Sequence, residues 1–116
     1  MSDSCQTWAM TAAEDGAQGS PVLEVARFDV VPGQEEAFAD AYRRVVTEIT
    51  TCPGCRSARL ARGVETPSRF VLFVEWENLD AHLVTFRASD RFTRWRATLG
   101  PFFAQPPSVE HVTELS

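Results

Sequence analysis

The sequence predicts an α+β fold whose elements follow in the order β-α-β-β-α-β, and three features lead to this prediction. Segments 22–31 and 69–76 are apolar and rich in β-branched and aromatic residues, which is typical of strands. Segment 35–51 instead has apolar residues at helical spacing. Pro-Gly pairs stand on both sides of that helix, where the chain has to turn. With 116 residues, the chain has the length of a single domain.

A flexible N-terminal tail, residues 1–20, is expected to precede a domain at residues 21–116. The tail is rich in Ser, Ala, Gly and Gln and shows no apolar period, so it has little surface to bury. After the first strand, the helix begins with Glu35 and Glu36, which the helix dipole favours in a first turn. The apolar positions of this helix are Phe38, Ala41, Tyr42, Val45 and Ile49.

The strongest predicted strand, 69–76, is apolar on both faces and follows a weaker strand at 55–62. Alternate residues of a strand share a face, so Leu72 and Trp76 point to one side and Phe73 to the other. A strand of this kind is usually covered on both sides. Helices on one side of a four-stranded sheet cover only one face. The other face therefore needs a second subunit, or the sheet encloses a cavity.

Two short helices and a final strand are expected to complete the order. Asn78 and Ser89 are residues that cap helices well, and each precedes an apolar helical pattern. A last strand is predicted at 108–113, after a Pro-Pro pair. The whole pattern is the ferredoxin-like split βαβ arrangement with an antiparallel sheet. The side chains expected to face inward from the two helices are Leu79, Leu83 and Phe86, then Phe92, Trp95 and Leu99.

The charge and the hydropathy of the chain exclude some classes of protein. The net charge is −5, which disfavours nucleic acid and anionic membranes as partners, because both require a basic surface. No apolar run approaches the roughly 20 residues that span a bilayer. The first residues carry acidic side chains and no basic region, unlike a signal peptide. We therefore expect a cytoplasmic protein.

The three cysteines are Cys5, Cys52 and Cys55, and an odd number is a poor basis for a disulfide framework. The spacing of Cys52 and Cys55 matches redox pairs, but those pairs open a helix, whereas this one follows a helix. Two cysteines without a nearby histidine are too few for a closed zinc site. Incidental cysteines are therefore favoured over a redox or metal pair, and no metal ligands are predicted.

Five short motifs in order along residues 22–114 carry a resemblance to a known family. They are VARF at 25–28 with VPGQEEAF at 31–38, PGC at 53–55, EWE at 75–77, FRAS at 86–89 through WR at 95–96, and GPFF at 100–103 with PPSVEH at 106–111. With these motifs the chain resembles the antibiotic biosynthesis monooxygenases. The resemblance implies a homodimer that forms a dimeric α/β barrel, in which the sheets of two subunits pack together. It also implies a pocket between the sheet and the helices of each subunit.

Members of this family that oxidise aromatic polyketides use O2 and phenolic substrates without metal, haem or flavin. An electron-rich phenol that loses its proton can itself pass an electron to oxygen. The protein then has to supply an apolar pocket, a proton acceptor and a positive charge for the anion. The resemblance thus implies a cofactor-independent monooxygenase for a small aromatic, phenolic or quinol substrate.

Three residues are the predicted catalytic residues, because they align with pocket residues of that branch of the family. Trp76 would orient the substrate through its indole N–H, although a packed tryptophan at a strand end is as common. His82 stands where the branch has a Tyr and would accept or relay a proton, whereas the plain alternative is a partly exposed histidine without a role. Arg96 would bind an anionic oxygen of the substrate. The alternative is that Arg96 is an ordinary solvent-exposed arginine on a helix.

The predicted pocket walls are Leu72, Phe86, Phe92, Trp95 and Phe102. Leu72 replaces an Asn of the polyketide-oxidising branch, so the hydrogen bond of that Asn is missing.

Three other functions can be compared with this one. The haem-degrading relatives need residues at the positions of Ala26, Thr85 and Arg96 that this chain lacks, so haem chemistry is disfavoured. A dimeric ligand-binding or regulatory module without catalysis remains the alternative, because a fold does not determine a function. A quinol-oxidising stress enzyme is a closer rival, with the same reaction and a different substrate.

Overall fold

The structure is a computed structural model that describes residues 20–115. The predicted tail, including Cys5, therefore lies outside the described residues except for Ser20. The strands are β1 (Val22–Asp29), β2 (Cys55–Arg62), β3 (Arg69–Trp76) and β4 (Ser108–Val112). The α-helices are α1 (Glu35–Val45), α2 (Thr47–Thr50) and α3 (Asp90–Leu99). A π-helical segment, Ala81–Phe86, precedes α3, and a 3-10 turn, Gly100–Phe102, follows it.

The four strands form one antiparallel sheet in the order β2-β3-β1-β4. The order of elements and the antiparallel pairing confirm the predicted ferredoxin-like split βαβ fold. β2 and β3 have the predicted bounds, whereas β1 and β4 end two residues and one residue earlier than predicted. Because β1 lies between β3 and β4, Glu24 stands opposite Val74 on one side and opposite His111 on the other.

The helices cover one face of the sheet, which we call the helix-side face. It includes Phe28, Leu72 and Trp76, all 3% exposed or less, and it packs against the apolar stripe of α1. That stripe consists of the residues predicted from the helical spacing. Burying each large side chain of this kind contributes about 1.5–3 kcal/mol, so this layer supplies most of the stability of the domain.

The opposite face, which we call the outer face, is not covered by the helices among residues 20–115. Phe73 and Val71 are only partly buried there, and Val112 of β4 is 40% exposed. The guanidinium carbon of Arg59 lies 5.2 Å from the centre of the Phe73 ring on this face. None of the helices among residues 20–115 is long and apolar enough to cross a membrane.

The second helical region differs from the prediction. Asn78 accepts a hydrogen bond from the N–H of Ala81 at 2.8 Å, as a capping residue should, but the following turn is π-helical rather than α-helical. In a π-helix the N–H bonds the carbonyl five residues earlier, as Arg87 does with His82 at 3.1 Å. The wider turn changes which residues face inward. His82 is buried, and the prediction that Leu83 faces inward is wrong, since Leu83 is 39% exposed.

Candidate active site

A cavity of about 680 Å³ lies between the helix-side face and the helices. This volume falls in the range of pockets that take small organic ligands. Most of its wall is apolar or aromatic, and its charged or titratable residues are Glu24, His82, Arg87 and Arg96. The apolar and aromatic wall includes Ala26, Phe28, Ile49, Leu72, Phe86, Phe92, Trp95, Leu99, Phe103 and Val109.

Glu24 is a buried carboxyl group in the central strand. Alternation along β1 places its side chain on the helix-side face, between Val22 and Ala26, and it is only 4% exposed. The indole N–H of Trp76 donates a hydrogen bond to Oε1 of Glu24 at 2.9 Å. Burial raises the pKa of Glu24 to about 7, although the Trp76 hydrogen bond and the charge of Arg87 both act to lower it. Glu24 therefore exchanges a proton near neutral pH.

His82 lies beside Glu24 and stacks on Trp76. The centres of the His82 and Trp76 rings are 5.2 Å apart, and the angle between the ring planes is 12°. Nε2 of His82 is 3.5 Å from Oε1 of Glu24. Burial, aided by the charges of His111 and Arg87, lowers the pKa of His82 to about 3. His82 is therefore neutral at physiological pH, so it meets Glu24 as an imidazole and not as the cation of an ion pair.

His111 completes a row of three titratable side chains. It pairs with Glu24 in the register of β1 and β4, and its Nε2 is 2.8 Å from Nδ1 of His82. Either ring can donate in this hydrogen bond, depending on the tautomers. Burial and the charge of Arg87 lower the pKa of His111. The row runs from Glu24 in the cavity wall through His82 to His111, which is partly exposed and does not line the cavity.

Two arginines of the cavity wall lie over the same aromatic ring. The guanidinium carbons of Arg87 and Arg96 are 5.4 Å and 5.7 Å from the centre of the Phe92 ring. Within residues 20–115, neither arginine forms a salt bridge with a carboxylate. Their positive charge is therefore available to an anionic ligand in the cavity.

The predicted site residues fall into two groups. His82, Arg96, Leu72, Phe86, Phe92 and Trp95 all line the cavity. Trp76 and Phe102 do not line it: Trp76 is completely buried beneath Glu24 and His82, and Phe102 packs against Phe38 with ring centres 6.0 Å apart. The neighbouring Phe103 takes the wall position that was predicted for Phe102.

Three residues of the site were not predicted from the sequence, namely Glu24, Arg87 and His111. The signal for Glu24 was present, since it is an acidic residue on the buried face of a strand whose neighbours at i−2 and i+2 are Val22 and Ala26. The contact of His82 with His111 gave no such signal, because it depends on the pairing of β1 with β4.

The cysteines and the acidic residues show no metal-binding arrangement in the described part of the chain. Cys52 and Cys55 are free thiols, and burial raises the pKa of Cys55 to about 11. A thiol with so high a pKa is a weak nucleophile at neutral pH. Among residues 20–115, no group of three or more His, Cys, Asp or Glu side chains is arranged to hold a metal ion.

Comparison with known sequences identifies relatives over most of this domain. The sequence model of the family described as antibiotic biosynthesis monooxygenase matches residues 21–98. Protein YczJ of Bacillus subtilis is 33% identical over 94 residues, which are 81% of this chain and 99% of that protein.

Comparison with solved structures gives the same fold. A Bordetella bronchiseptica protein, described as a candidate antibiotic biosynthesis monooxygenase, superposes with a TM-score of 0.81 at 35% identity, over 84% of this chain and 99% of that one. SnoaB of Streptomyces nogalater, described as a cofactor-independent oxygenase, superposes with a TM-score of 0.70 at 20% identity, over 84% of this chain and 95% of that one. At 20% identity the likeness to SnoaB establishes the shared fold alone.

Proposed function

The chain belongs to the antibiotic biosynthesis monooxygenase family, and we propose that it is a cofactor-independent monooxygenase for a small aromatic, phenolic or quinol substrate. The observation that carries this proposal is the cavity itself. It combines aromatic walls, a carboxyl group 3.5 Å from an imidazole, and two arginines that form no salt bridge with a carboxylate among residues 20–115. These are the three components that the oxidation of a phenol by O2 requires of a protein.

The roles of the predicted catalytic residues follow from their surroundings. His82 is neutral and adjoins Glu24, so we assign it the acceptance or relay of a proton. Arg96, together with Arg87, holds the anionic oxygen of the deprotonated substrate. The N–H of Trp76 is donated to Glu24 and not to the cavity, so Trp76 acts by positioning Glu24 and by stacking on His82.

We further propose that two copies of the chain pack through their outer faces, and that the protein acts in the cytoplasm. Phe73 and Val112 are apolar and open on that face in the single chain, and a second sheet would remove them from water. The cavity lies on the opposite face, so each protomer would keep a cavity of its own.

The test of the proposed function is oxygen uptake by purified, metal-free protein with a panel of hydroquinones and anthrones. Wild type is compared with His82→Asn, which keeps a polar atom near Nδ1, and with no protein. Val64→Ala is the matched control, since Val64 is 87% exposed in the turn between β2 and β3. Uptake that saturates with substrate, falls at least about 100-fold in His82→Asn and persists in Val64→Ala supports the proposal.

Equal uptake with and without protein would contradict the proposed function. If panel compounds nevertheless bound in the cavity, the chain would be a ligand-binding module instead. Thermal melting of His82→Asn shows whether a loss of uptake reflects chemistry or unfolding.

A further inference from the structure

We infer that Glu24, His82 and His111 form a proton relay, in which Glu24 takes the proton from the substrate and His111 exchanges it with solvent. The inference rests on the proposed function and deepens it by assigning two further residues. It starts from the position of the three groups: Glu24 and His82 line the cavity, whereas His111 lies outside its wall and is partly exposed. The row therefore leads from the cavity wall to a partly exposed position outside that wall.

The contacts along the row have the atoms that a relay needs. Oε1 of Glu24 is 3.5 Å from Nε2 of His82, and Nδ1 of His82 is 2.8 Å from Nε2 of His111. His82 thus contacts Glu24 through Nε2 and His111 through Nδ1, and His111 contacts His82 through its own Nε2. The 3.5 Å step is the longest, and such contacts commonly tighten only when the substrate is bound.

The contacts of Glu24 leave one of its two carboxyl oxygens available to bind the substrate. Its two contacts within residues 20–115, with Trp76 and His82, are both made by Oε1. Oε2 makes no hydrogen bond to a described residue and is therefore available to a hydroxyl group of the substrate. Among the described groups, Trp76, His82 and His111 contact or face Glu24, and the charge of Arg87 acts on it at longer range. The Cys55 thiol is also near enough for the charge of Glu24 to raise its pKa.

The proton transfers balance in both directions. The substrate hydroxyl or CH group loses a proton to the Glu24 carboxylate, and the electron pair stays on the substrate. The carboxyl group then rotates so that its protonated oxygen faces His82 and gives its proton to Nε2 of His82. Nδ1–H of His82 passes its proton to Nε2 of His111, and His111 becomes a transient imidazolium.

The oxidation of the substrate anion then needs that proton back. The substrate is the reductant and O2 the oxidant: one oxygen atom becomes a carbonyl of the product, and the other leaves as water with two substrate hydrogens. No net proton is released. The relay therefore passes a proton to solvent through His111 when the substrate anion forms, and it takes one back by the same path when oxygen is reduced, which also restores the original tautomers.

The kinetic test compares wild type with Glu24→Gln, which keeps the shape of the carboxyl group, and with His111→Gln, whose amide keeps a polar atom near the position of Nε2. Rates are measured against pH, in dilute buffer with and without added imidazole. We expect Glu24→Gln to lower kcat about 100-fold with little change in KM. His111→Gln should lower kcat about tenfold in dilute buffer, and imidazole should restore the rate, because a small base replaces the lost end of the relay.

Two kinetic results would overturn the relay. One is a wild-type kcat in Glu24→Gln. The other concerns the rate of His111→Gln in dilute buffer. A rate equal to that of wild type would show that His111 is not needed. A lowered rate that imidazole does not restore would indicate a structural defect, because such a defect does not respond to a small base.

The same relay is testable without any substrate, so its failure is separable from failure of the proposed function. In 15N NMR of histidine-labelled wild type, the ring nitrogens of His82 and His111 should shift together near pH 7, following Glu24. This shift should vanish in Glu24→Gln. If the oxygen assay is negative but the coupled shift is present, the relay stands and the proposed reaction fails. An unchanged histidine titration in Glu24→Gln would refute the relay even if the protein consumes oxygen.

Discussion

The two faces of the sheet are built from alternate residues of the same strands, yet they differ in almost every property. The helix-side face is covered by helices, carries Glu24 and forms part of the cavity wall, and the π-helical segment places His82 against it. On the outer face, Phe73 is only partly buried and Val112 is 40% exposed. A step of one residue along a strand is enough to move a side chain from one face to the other.

This difference would allow a small domain to separate the two tasks that we propose for it, catalysis and association. The chemistry that we propose needs a closed space of low polarity, where the pKa of a carboxyl group can rise to about 7. Association needs an open apolar surface. Because each strand serves both faces, substitutions on one strand test the separation directly.

The largest expected effect comes from Val109→Trp. Val109 lies on β4 in the cavity wall and is 40% exposed, so the larger side chain can enter the cavity without disrupting the core. We expect saturable oxygen uptake to be lost while the dimer persists, as measured by an oxygen electrode and by light scattering.

The matched control is Val112→Trp, three residues further along β4 and also 40% exposed, but on the outer face. It should weaken the dimer and leave the rate per protomer within about twofold at concentrations where the dimer persists. If Val109→Trp and Val112→Trp lost oxygen uptake equally, the two faces would not have separate roles in catalysis and association.

A charge on the outer face should have the next largest effect. Phe73→Glu places two carboxylates, one from each copy, in the proposed interface. The cost of burying them should raise the dimer dissociation constant at least about 1,000-fold, which is roughly 4 kcal/mol. Analytical ultracentrifugation measures the constant, and circular dichroism shows whether the monomer remains folded. A Phe73→Glu protein that dimerises like wild type would disprove the outer-face interface.

Glu24→Gln should change stability in a pH-dependent manner. The folded protein holds a proton on Glu24 up to about pH 7, whereas the unfolded chain releases it near pH 4.5. Stability is therefore lost as the pH rises between these values, by about 3 kcal/mol at pH 8. Gln avoids that loss, so the variant should be more stable than wild type at pH 8 and nearly equal to it at pH 4. Urea unfolding at both pH values checks this, and equal differences at both would contradict the raised pKa.

The smallest effect is expected from Arg59→Gln. Arg59 is exposed and lies over the Phe73 ring, a contact worth about 0.5–1 kcal/mol at an exposed site. Its loss should raise the dimer dissociation constant by less than about tenfold and leave oxygen uptake unchanged. A change of 100-fold or more in ultracentrifugation would place Arg59 at the centre of the interface.

The sequence predicts the fold well because the fold depends on local patterns. β3 alternates between two apolar faces, and the apolar stripe of α1 continues to Ile49 of α2, so both could be located from spacing alone. The π-helical turn was missed, because its hydrogen-bond pattern is not encoded in an apolar period. That turn is what buries His82 and exposes Leu83.

The site was predictable only in part. His82 and Arg96, which the family resemblance singled out, both line the cavity. The partnership of Glu24 with His111 joins residues 87 positions apart, and it follows from strand order and register rather than from any local signal. The position of Trp76 against Glu24 likewise required the pairing of β1 with β3.

The most direct test of the central claim is mass spectrometry of the product formed under 18O2. A monooxygenase working in the cavity incorporates one 18O atom into each product molecule, with one O2 consumed per substrate, and Val109→Trp abolishes the labelled product. Unlabelled product, or O2 recovered as hydrogen peroxide at the rate seen without protein, would contradict the proposed activity.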